Sequence, residues 1–144
     1  MKKVVVVDAS VAVKWTFPGQ IEPLADRADD LLQHYLAGQV ELVVPDLFWV
    51  EITNFLWKSV RQKKIPAARA EEALKTIVAR SFRTFPARYV LDEALSIAMQ
   101  FDRTAYDSVY VALAVAINSY LLTADERLVN ALAPHFPVKW LGTF

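Results

Sequence analysis

Short apolar runs separated by amphipathic stretches dominate the pattern of this chain. Within the segment 3–7, four consecutive valines form an unbroken β-branched run, which is typical of a strand buried on both faces, as in a parallel sheet. Shorter apolar runs predict further strands at 41–44, 120–123 and 138–140. The pattern therefore indicates strands spread along the whole length.

Helices are predicted between these strands, where apolar residues recur every three or four positions. Ser10 is predicted to be the N-cap of a short helix over 11–15, and Pro18, Gly19 and Pro23 mark the loop that follows. The remaining helices are predicted over 24–36, 46–63, 66–80, 90–101, 105–118 and 125–132.

This alternation of strands and helices indicates an α/β fold of three layers. A central parallel sheet of four to five strands is expected, with helices on both sides. Hydrophobic residues make up 55% of the chain, which is enough for a sizeable core. With 144 residues and no long linker, we expect a single domain over 1–144.

Composition and charge narrow the function classes. Lys plus Arg and Asp plus Glu both number 16, so bulk positive charge for coating nucleic acid is excluded. The lack of Cys excludes disulfides, thiolate catalysis and zinc ribbons. No apolar run approaches the ~18 residues of a membrane span, and Asp8 interrupts the N-terminal run too early for a signal peptide. We therefore expect a cytoplasmic protein without a membrane partner.

Four carboxylates stand where elements of the core end or turn. Asp8 follows the first strand, Asp125 follows a later one, Asp107 opens an apolar helix, and Glu51 lies within another. Buried charges are costly unless an ion or a polar network compensates them. Ligands of open α/β sheets bind beyond the carboxyl ends of the strands, so a common site is expected there. Oxygen donors without Cys favour a hard cation such as Mg²⁺ or Mn²⁺.

Helix capping is the alternative explanation for two of these acids. Thr104 and Asp107 have the spacing of a capping box, in which the Thr hydroxyl and the acid satisfy helix N–H groups reciprocally. Thr123 and Glu126 have the same spacing, which would leave Asp125 free for another task. On this alternative the protein is a non-catalytic RNA- or protein-binding module whose acids are helix caps.

Glu51 is the acid that is hardest to explain structurally. Most of its neighbours in the predicted helix are apolar, which indicates a helix packed on two faces. Asn54 and Lys58 follow on the same stripe, so a Glu51–Lys58 salt bridge is one interpretation. A polar site formed by Glu51 and Asn54 is the other.

Taken together, four segments of the chain resemble those of the PIN-domain nucleases, and most closely the VapC-type toxins of toxin–antitoxin pairs. The segments are VVVVDASVAVKW, VPDLFWVEITNFLW, TAYDSVYVALA and YLLTADERL, in that order. They carry Asp8 and Ser10; Glu51 and Asn54; Tyr106, Asp107, Tyr110, Leu113 and Ala114; and Thr123 and Asp125.

The resemblance implies a three-layer PIN-like fold and a metal-dependent endoribonuclease that hydrolyses RNA phosphodiester bonds. It also implies one or two Mg²⁺ or Mn²⁺ ions held by the four acids, a homodimer, and a small antitoxin partner. Residues 64–104 carry no signature of the family, so the RNA target and the antitoxin stay open.

Roles for the four acids follow from this expected chemistry. Asp8 and Asp107 are assigned as the most direct metal ligands. Asp125 would complete the coordination shell or bind a second ion. Glu51 would hold the second ion or orient the attacking water. Without metal, repulsion between these like charges is expected to raise at least one carboxylate pKa.

Three neutral polar residues are expected to support the acids. Ser10 and Thr123 carry hydroxyls that would fix the orientation of a carboxylate. Asn54 would do the same or contact a phosphate.

Overall fold

The computed structural model describes residues 2–17 and 22–144. Its centre is a sheet of five strands that pair in parallel throughout, in the order β3-β2-β1-β4-β5. The strands are β1 (Lys3–Val7), β2 (Val40–Pro45), β3 (Arg83–Phe85), β4 (Tyr120–Thr123) and β5 (Val138–Trp140). The expected α/β class with a parallel sheet is confirmed.

Helices connect these strands and cover both faces of the sheet. Seven α-helices lie within the described residues, with short 3-10 helices at Ala87–Val90 and Leu141–Thr143. They are α1 (Ala9–Thr16), α2 (Ala25–Leu36), α3 (Leu47–Arg61), α4 (Ala67–Ala79), α5 (Leu91–Phe101), α6 (Ala105–Ala116) and α7 (Glu126–Leu132). None of the helices in this described part is both long and apolar enough to cross a bilayer.

The strand order creates a crevice beside β1. The chain adds β2 and β3 on one side of β1 and then returns to add β4 and β5 on the other side. Ligand sites of open α/β sheets lie at such a reversal, outside the carboxyl ends of the strands. Asp8 directly follows β1, and Asp125 lies two residues after β4. Both acids therefore stand at this edge of the sheet.

The core explains why α6 is apolar around most of its circumference. This helix packs against β1, β2, β4 and α5, and every residue from Ser108 to Ala114 is buried. A helix covered on several sides has no face for charged residues. Asp107 lies in the first turn of this helix, so its position is determined by the packing of α6 in the core.

Several predicted boundaries need correction. The strand β3 was missed. The helix expected over 46–63 begins at Leu47, because Pro45 still belongs to β2 and the backbone N–H of Asp46 bonds to the Phe85 carbonyl oxygen. It ends at Arg61.

Two further observations concern the start of α1 and the end of α2. Ser10 is not an N-cap, since α1 begins at Ala9 with Asp8 at the cap position. Gly38 follows α2 with a φ of 76°, a left-handed conformation that favours glycine after a helix. The predicted loop residues Pro18 and Gly19 lie outside the described residues.

Candidate active site

Asp8 is the most buried of the four acids, with 7% of its surface exposed. The Ser10 hydroxyl donates a hydrogen bond to it over 2.5 Å. The pKa of Asp8 is raised to about 6, mainly by burial and to a smaller extent by the charge of Asp107, while hydrogen bonds from Ser10 and Thr123 oppose the rise. Burial is therefore the main cause, and the like-charge repulsion expected from the sequence is secondary.

Two hydroxyls join the β1–α1 turn to the β4–α7 turn. The Ser10 and Thr123 hydroxyl oxygens lie 3.2 Å apart. Ser10 Oγ also accepts from the Ala124 backbone N–H, and Thr123 Oγ1 accepts from that of Asp125. Both hydroxyls thus lie beside Asp8, where a role in orienting its carboxylate was expected.

Glu51 reaches from α3 to α6. The Tyr110 hydroxyl donates to Glu51 Oε1 over 2.5 Å, and no Glu51–Lys58 ion pair forms in the described part of the chain. Burial raises the pKa of Glu51, and the negative charge of Asp107 adds to that rise. The polar-site interpretation of Glu51 is therefore the one that the geometry supports.

Asp107 is electrostatically coupled to each of the other acids. Burial raises its pKa, and the charge of Asp125 raises it further, while hydrogen bonding to Thr104 and the charge of Arg103 oppose this. The predicted N-cap is present, because Thr104 Oγ1 accepts from the Asp107 backbone N–H over 3.1 Å. That bond uses only the Asp107 backbone, and the effect of Thr104 on the pKa shows that its hydroxyl also lies near the carboxylate.

Asp125 does not behave as the sequence suggested. It is itself the N-cap of α7, and its Oδ1 accepts from the backbone N–H groups of Arg127 and Leu128 over 3.0 and 3.3 Å. The helix begins at Glu126, so the capping position falls on Asp125 instead of Thr123. One carboxylate oxygen is thereby engaged in capping.

An open groove of about 460 Å³ runs between α1, α3 and the start of α6. Its polar lining includes Ser10, Glu51 and Asn54, and Tyr106 stands at its rim with 67% of its surface exposed. Asp8 is joined to this lining through Ser10. The groove therefore brings three residues that the sequence singled out to one surface.

Tyr110 is the polar residue of the site to which the sequence assigned no role. It is 2% exposed, and its pKa is raised by burial and then by Glu51, Asp8 and Asp107. It lies three residues after Asp107, so both share one face of α6. The signal that could have identified it was a tyrosine in the apolar run of α6 after Ser108, at a position of the family motif.

The four acids form no ion pair within residues 2–17 and 22–144, although the charge of Arg103 acts on Asp107. The ion pairs found there are Lys14–Glu22 and Arg83–Glu41, both away from the acids. Nor do three His, Cys, Asp or Glu side chains of these residues converge closely enough to hold a metal ion as they stand. The donors are nevertheless hard carboxylate oxygens that form no ion pair in this part of the chain, which is the chemistry that divalent cations such as Mg²⁺ and Mn²⁺ require.

Comparison with known proteins identifies the family. The model of the PIN domain matches residues 5–132. The chain belongs to the PIN-domain family, as its sequence motifs indicated. Ribonucleases of this family generally use divalent metal ions.

Individual relatives are consistent with this. Ribonuclease VapC3 of Pyrobaculum aerophilum is 32% identical over 127 residues, which cover 87% of this chain and 92% of the relative. The crystal structure of PAE2754 from the same organism superposes with a TM-score of 0.71 at 24% identity, covering 99% of this chain and 93% of that one. A chain of a toxin–antitoxin complex from Klebsiella pneumoniae shares the fold with a TM-score of 0.62 at 15% identity, covering 94% and 95%.

Proposed function

We propose that this protein is a divalent-metal-dependent endoribonuclease that hydrolyses RNA phosphodiester bonds, and that it is the toxin of a toxin–antitoxin pair. One observation carries the proposal: four acids that form no ion pair in the described residues stand at the carboxyl edge of the sheet, beside an open groove. The ribonuclease activity is supported by the curated VapC relatives.

We propose that Asp8, Glu51, Asp107 and Asp125 hold one or two Mg²⁺ or Mn²⁺ ions. Asp8 and Asp107 would be the direct ligands, and the uncapped oxygen of Asp125 would complete the shell or bind a second ion. A bound divalent ion supplies positive charge beside the scissile phosphate and lowers the pKa of the attacking water.

The chain's own residues orient the reactants. Ser10 and Thr123 hold Asp8 in one orientation through their hydroxyls. Glu51 orients the attacking water, whose oxygen bonds to phosphorus as the phosphorus–oxygen bond of the RNA backbone breaks. Asn54 lies one turn from Glu51 in the same groove and donates its amide N–H to a phosphate oxygen.

The proposed assembly follows the family resemblance. Residues 1–144 would act as a single PIN-like domain in the cytoplasm, as a homodimer or larger assembly that binds a small antitoxin. The fold shared with a chain of a toxin–antitoxin complex supports the antitoxin partner. Light scattering at micromolar concentration tests the homodimer, and a monomer under those conditions would contradict it.

The test of the function is cleavage of an unstructured RNA in EDTA, Mg²⁺ or Mn²⁺. The wild-type chain is compared with Asp8→Asn, and with Asp30→Asn on the exposed surface of α2 as a matched control. We expect metal-dependent cleavage that Asp8→Asn removes and Asp30→Asn retains. Cleavage that survives Asp8→Asn would place the activity elsewhere.

A non-catalytic binding module is the second candidate, favoured by the capping bonds of Thr104 and Asp125. It does not account for Asp8 and Glu51, whose side chains cap no helix in the described residues. Absence of cleavage, together with a melting temperature that Mn²⁺ leaves unchanged, would favour this module.

A further inference from the structure

Tyr110 has an unusual position for a residue of the hydrophobic core. Tyr110 is buried and stands between Val109 and Val111 in the sequence of α6, yet its hydroxyl reaches across to α3 and bonds to Glu51, which lies 59 residues away in the sequence. A buried phenol needs a hydrogen-bond partner, and here that partner is a proposed metal-binding carboxylate.

The hydroxyl is also central to the acidic site. The charges of Glu51, Asp8 and Asp107 all raise the pKa of the Tyr110 hydroxyl, so three of the four acids act on one neutral donor that contacts Glu51 directly. A Lys or Arg at this position would neutralise the acids and compete with a cation. A phenol instead fixes a carboxylate without cancelling its charge.

The bond engages only one oxygen of Glu51. Oε1 accepts from Tyr110, whereas Oε2 accepts no hydrogen bond from the described residues. Glu51 is half-buried and lines the open groove. Holding Oε1 therefore restricts the carboxylate to orientations that leave Oε2 available to an ion or a water in the site.

We propose that Tyr110 is the positioning residue for Glu51, and that its hydroxyl orders this carboxylate for divalent-cation binding. The inference rests on the proposed function, since it assumes that Glu51 takes part in metal binding. Partners that orient ligands typically contribute about 10- to 100-fold to metal affinity or activity. Tyr110 then links Asp107 on α6 to Glu51 on α3, so that the two helices present their acids in a fixed relation.

The first test compares Mn²⁺ affinity, measured by calorimetry, in the wild-type chain, Tyr110→Phe and Tyr35→Phe. Tyr35 is a matched control because its hydroxyl also makes an internal hydrogen bond, to the Arg80 carbonyl oxygen over 2.8 Å, at the opposite edge of the sheet. We expect Tyr110→Phe to weaken Mn²⁺ binding about tenfold or more, and Tyr35→Phe to leave it within twofold. Unchanged affinity in Tyr110→Phe would overturn the inference.

A double-mutant cycle separates positioning from general loosening of the fold. If Tyr110 acts through Glu51, Tyr110→Phe should have no further effect on Mn²⁺ affinity once Glu51→Gln is present. Effects that simply add would show that Tyr110 acts elsewhere and would overturn the inference.

A spectroscopic measurement on the wild-type chain covers the case in which Tyr110→Phe does not fold. With ¹³C at the tyrosine ring carbon that bears the hydroxyl, diamagnetic Mg²⁺ should shift the Tyr110 resonance, and Glu51→Gln should reduce that shift. No shift at saturating Mg²⁺ would overturn the inference while leaving the proposed function standing. A wild-type chain that binds no divalent ion would overturn both.

Discussion

Charged side chains have favourable partners at the amino edge of the sheet, whereas the acids at its carboxyl edge form no ion pair in the described residues. Toward the amino edge, Glu41 pairs with Arg83 over 3.2 Å. Lys3 and Lys139 both lie over the ring of Tyr120, at 5.1 and 4.2 Å from its centre. Each of these charges has a favourable partner, as expected where residues serve stability.

The carboxyl edge concentrates charge of one sign instead. Asp8, Glu51 and Asp107 have raised pKa values, and burial is the largest cause for each. No Lys or Arg in the described residues forms an ion pair with them. Acids with strongly raised pKa values and no ion pair occur mainly at functional sites. The contrast between the edges therefore distinguishes the acids of the candidate site from those that serve stability.

The largest expected effect on RNA cleavage comes from comparing two single substitutions, one of an acid at each edge of the sheet. Asp107→Asn removes the carboxylate that is coupled to the other three, and we expect RNA cleavage to fall by at least about 100-fold. Glu41→Gln removes an exposed ion pair and should cost about 0.5 kcal/mol of stability without changing cleavage. Both are measured with Mg²⁺ or Mn²⁺ present. Equal loss of cleavage in both variants would contradict the separation of the edges.

Asp8→Asn should stabilise the metal-free protein. Folding raises the pKa of Asp8 from 3.8 to about 6. Below about pH 4 the Asp8 carboxyl is therefore protonated in both the folded and the unfolded chain, whereas between about pH 4 and 6 it stays protonated only in the folded chain. The free energy of unfolding should therefore fall across that window as the pH rises. One pKa unit corresponds to about 1.4 kcal/mol. We therefore expect Asp8→Asn to raise the free energy of unfolding of the metal-free protein by about 1–3 kcal/mol at pH 7.

Urea unfolding in EDTA at pH 4, 5 and 7 measures this gain. Asp30→Asn, on the exposed surface of α2, serves as the control and should follow the wild-type pH dependence. Asp8→Asn that is less stable than the wild type at pH 7 would mean that its negative charge is compensated within the chain.

Metal should reverse this destabilisation in the wild type. A ligand that binds only the folded state stabilises it by about 2.7 kcal/mol at a concentration of 100 Kd. We expect Mn²⁺ to raise the melting temperature of the wild type and of Glu41→Gln alike, and that of Asp8→Asn much less. Equal shifts in Asp8→Asn and the wild type would indicate that the ion binds outside the carboxyl edge.

The fold was predictable where the apolar pattern is strong. The valines of β1 and the continuous apolar face of α6 identify buried elements without knowledge of their neighbours. The strand β3 was missed because Arg83 and Thr84 are exposed and only Phe85 is half-buried. Pairing with the edge of β2, and not its own sequence pattern, holds this segment in the sheet.

The sequence predicts those residues of the site that directly follow a strand. Asp8 and Asp125 follow from the topology of parallel sheets, but the contact of Tyr110 with Glu51 depends on how α3 and α6 pack. The start of α7 lies further along the chain than the capping box predicted, so Asp125 occupies the capping position that was predicted for Thr123. Helix ends commonly differ by one or two residues from the position that a sequence pattern indicates.

The smallest expected effect concerns the amino edge alone. Tyr120→Leu keeps apolar bulk but removes the ring beneath Lys3 and Lys139, and should cost about 1 kcal/mol of stability. Tyr89→Leu is the control, because Tyr89 is 73% exposed and its contact with Arg88 should contribute less. Chemical unfolding measures both, with RNA cleavage as the second readout. A stability loss without loss of cleavage supports independent edges, whereas reduced cleavage in folded Tyr120→Leu would show that strain at β4 reaches the acids.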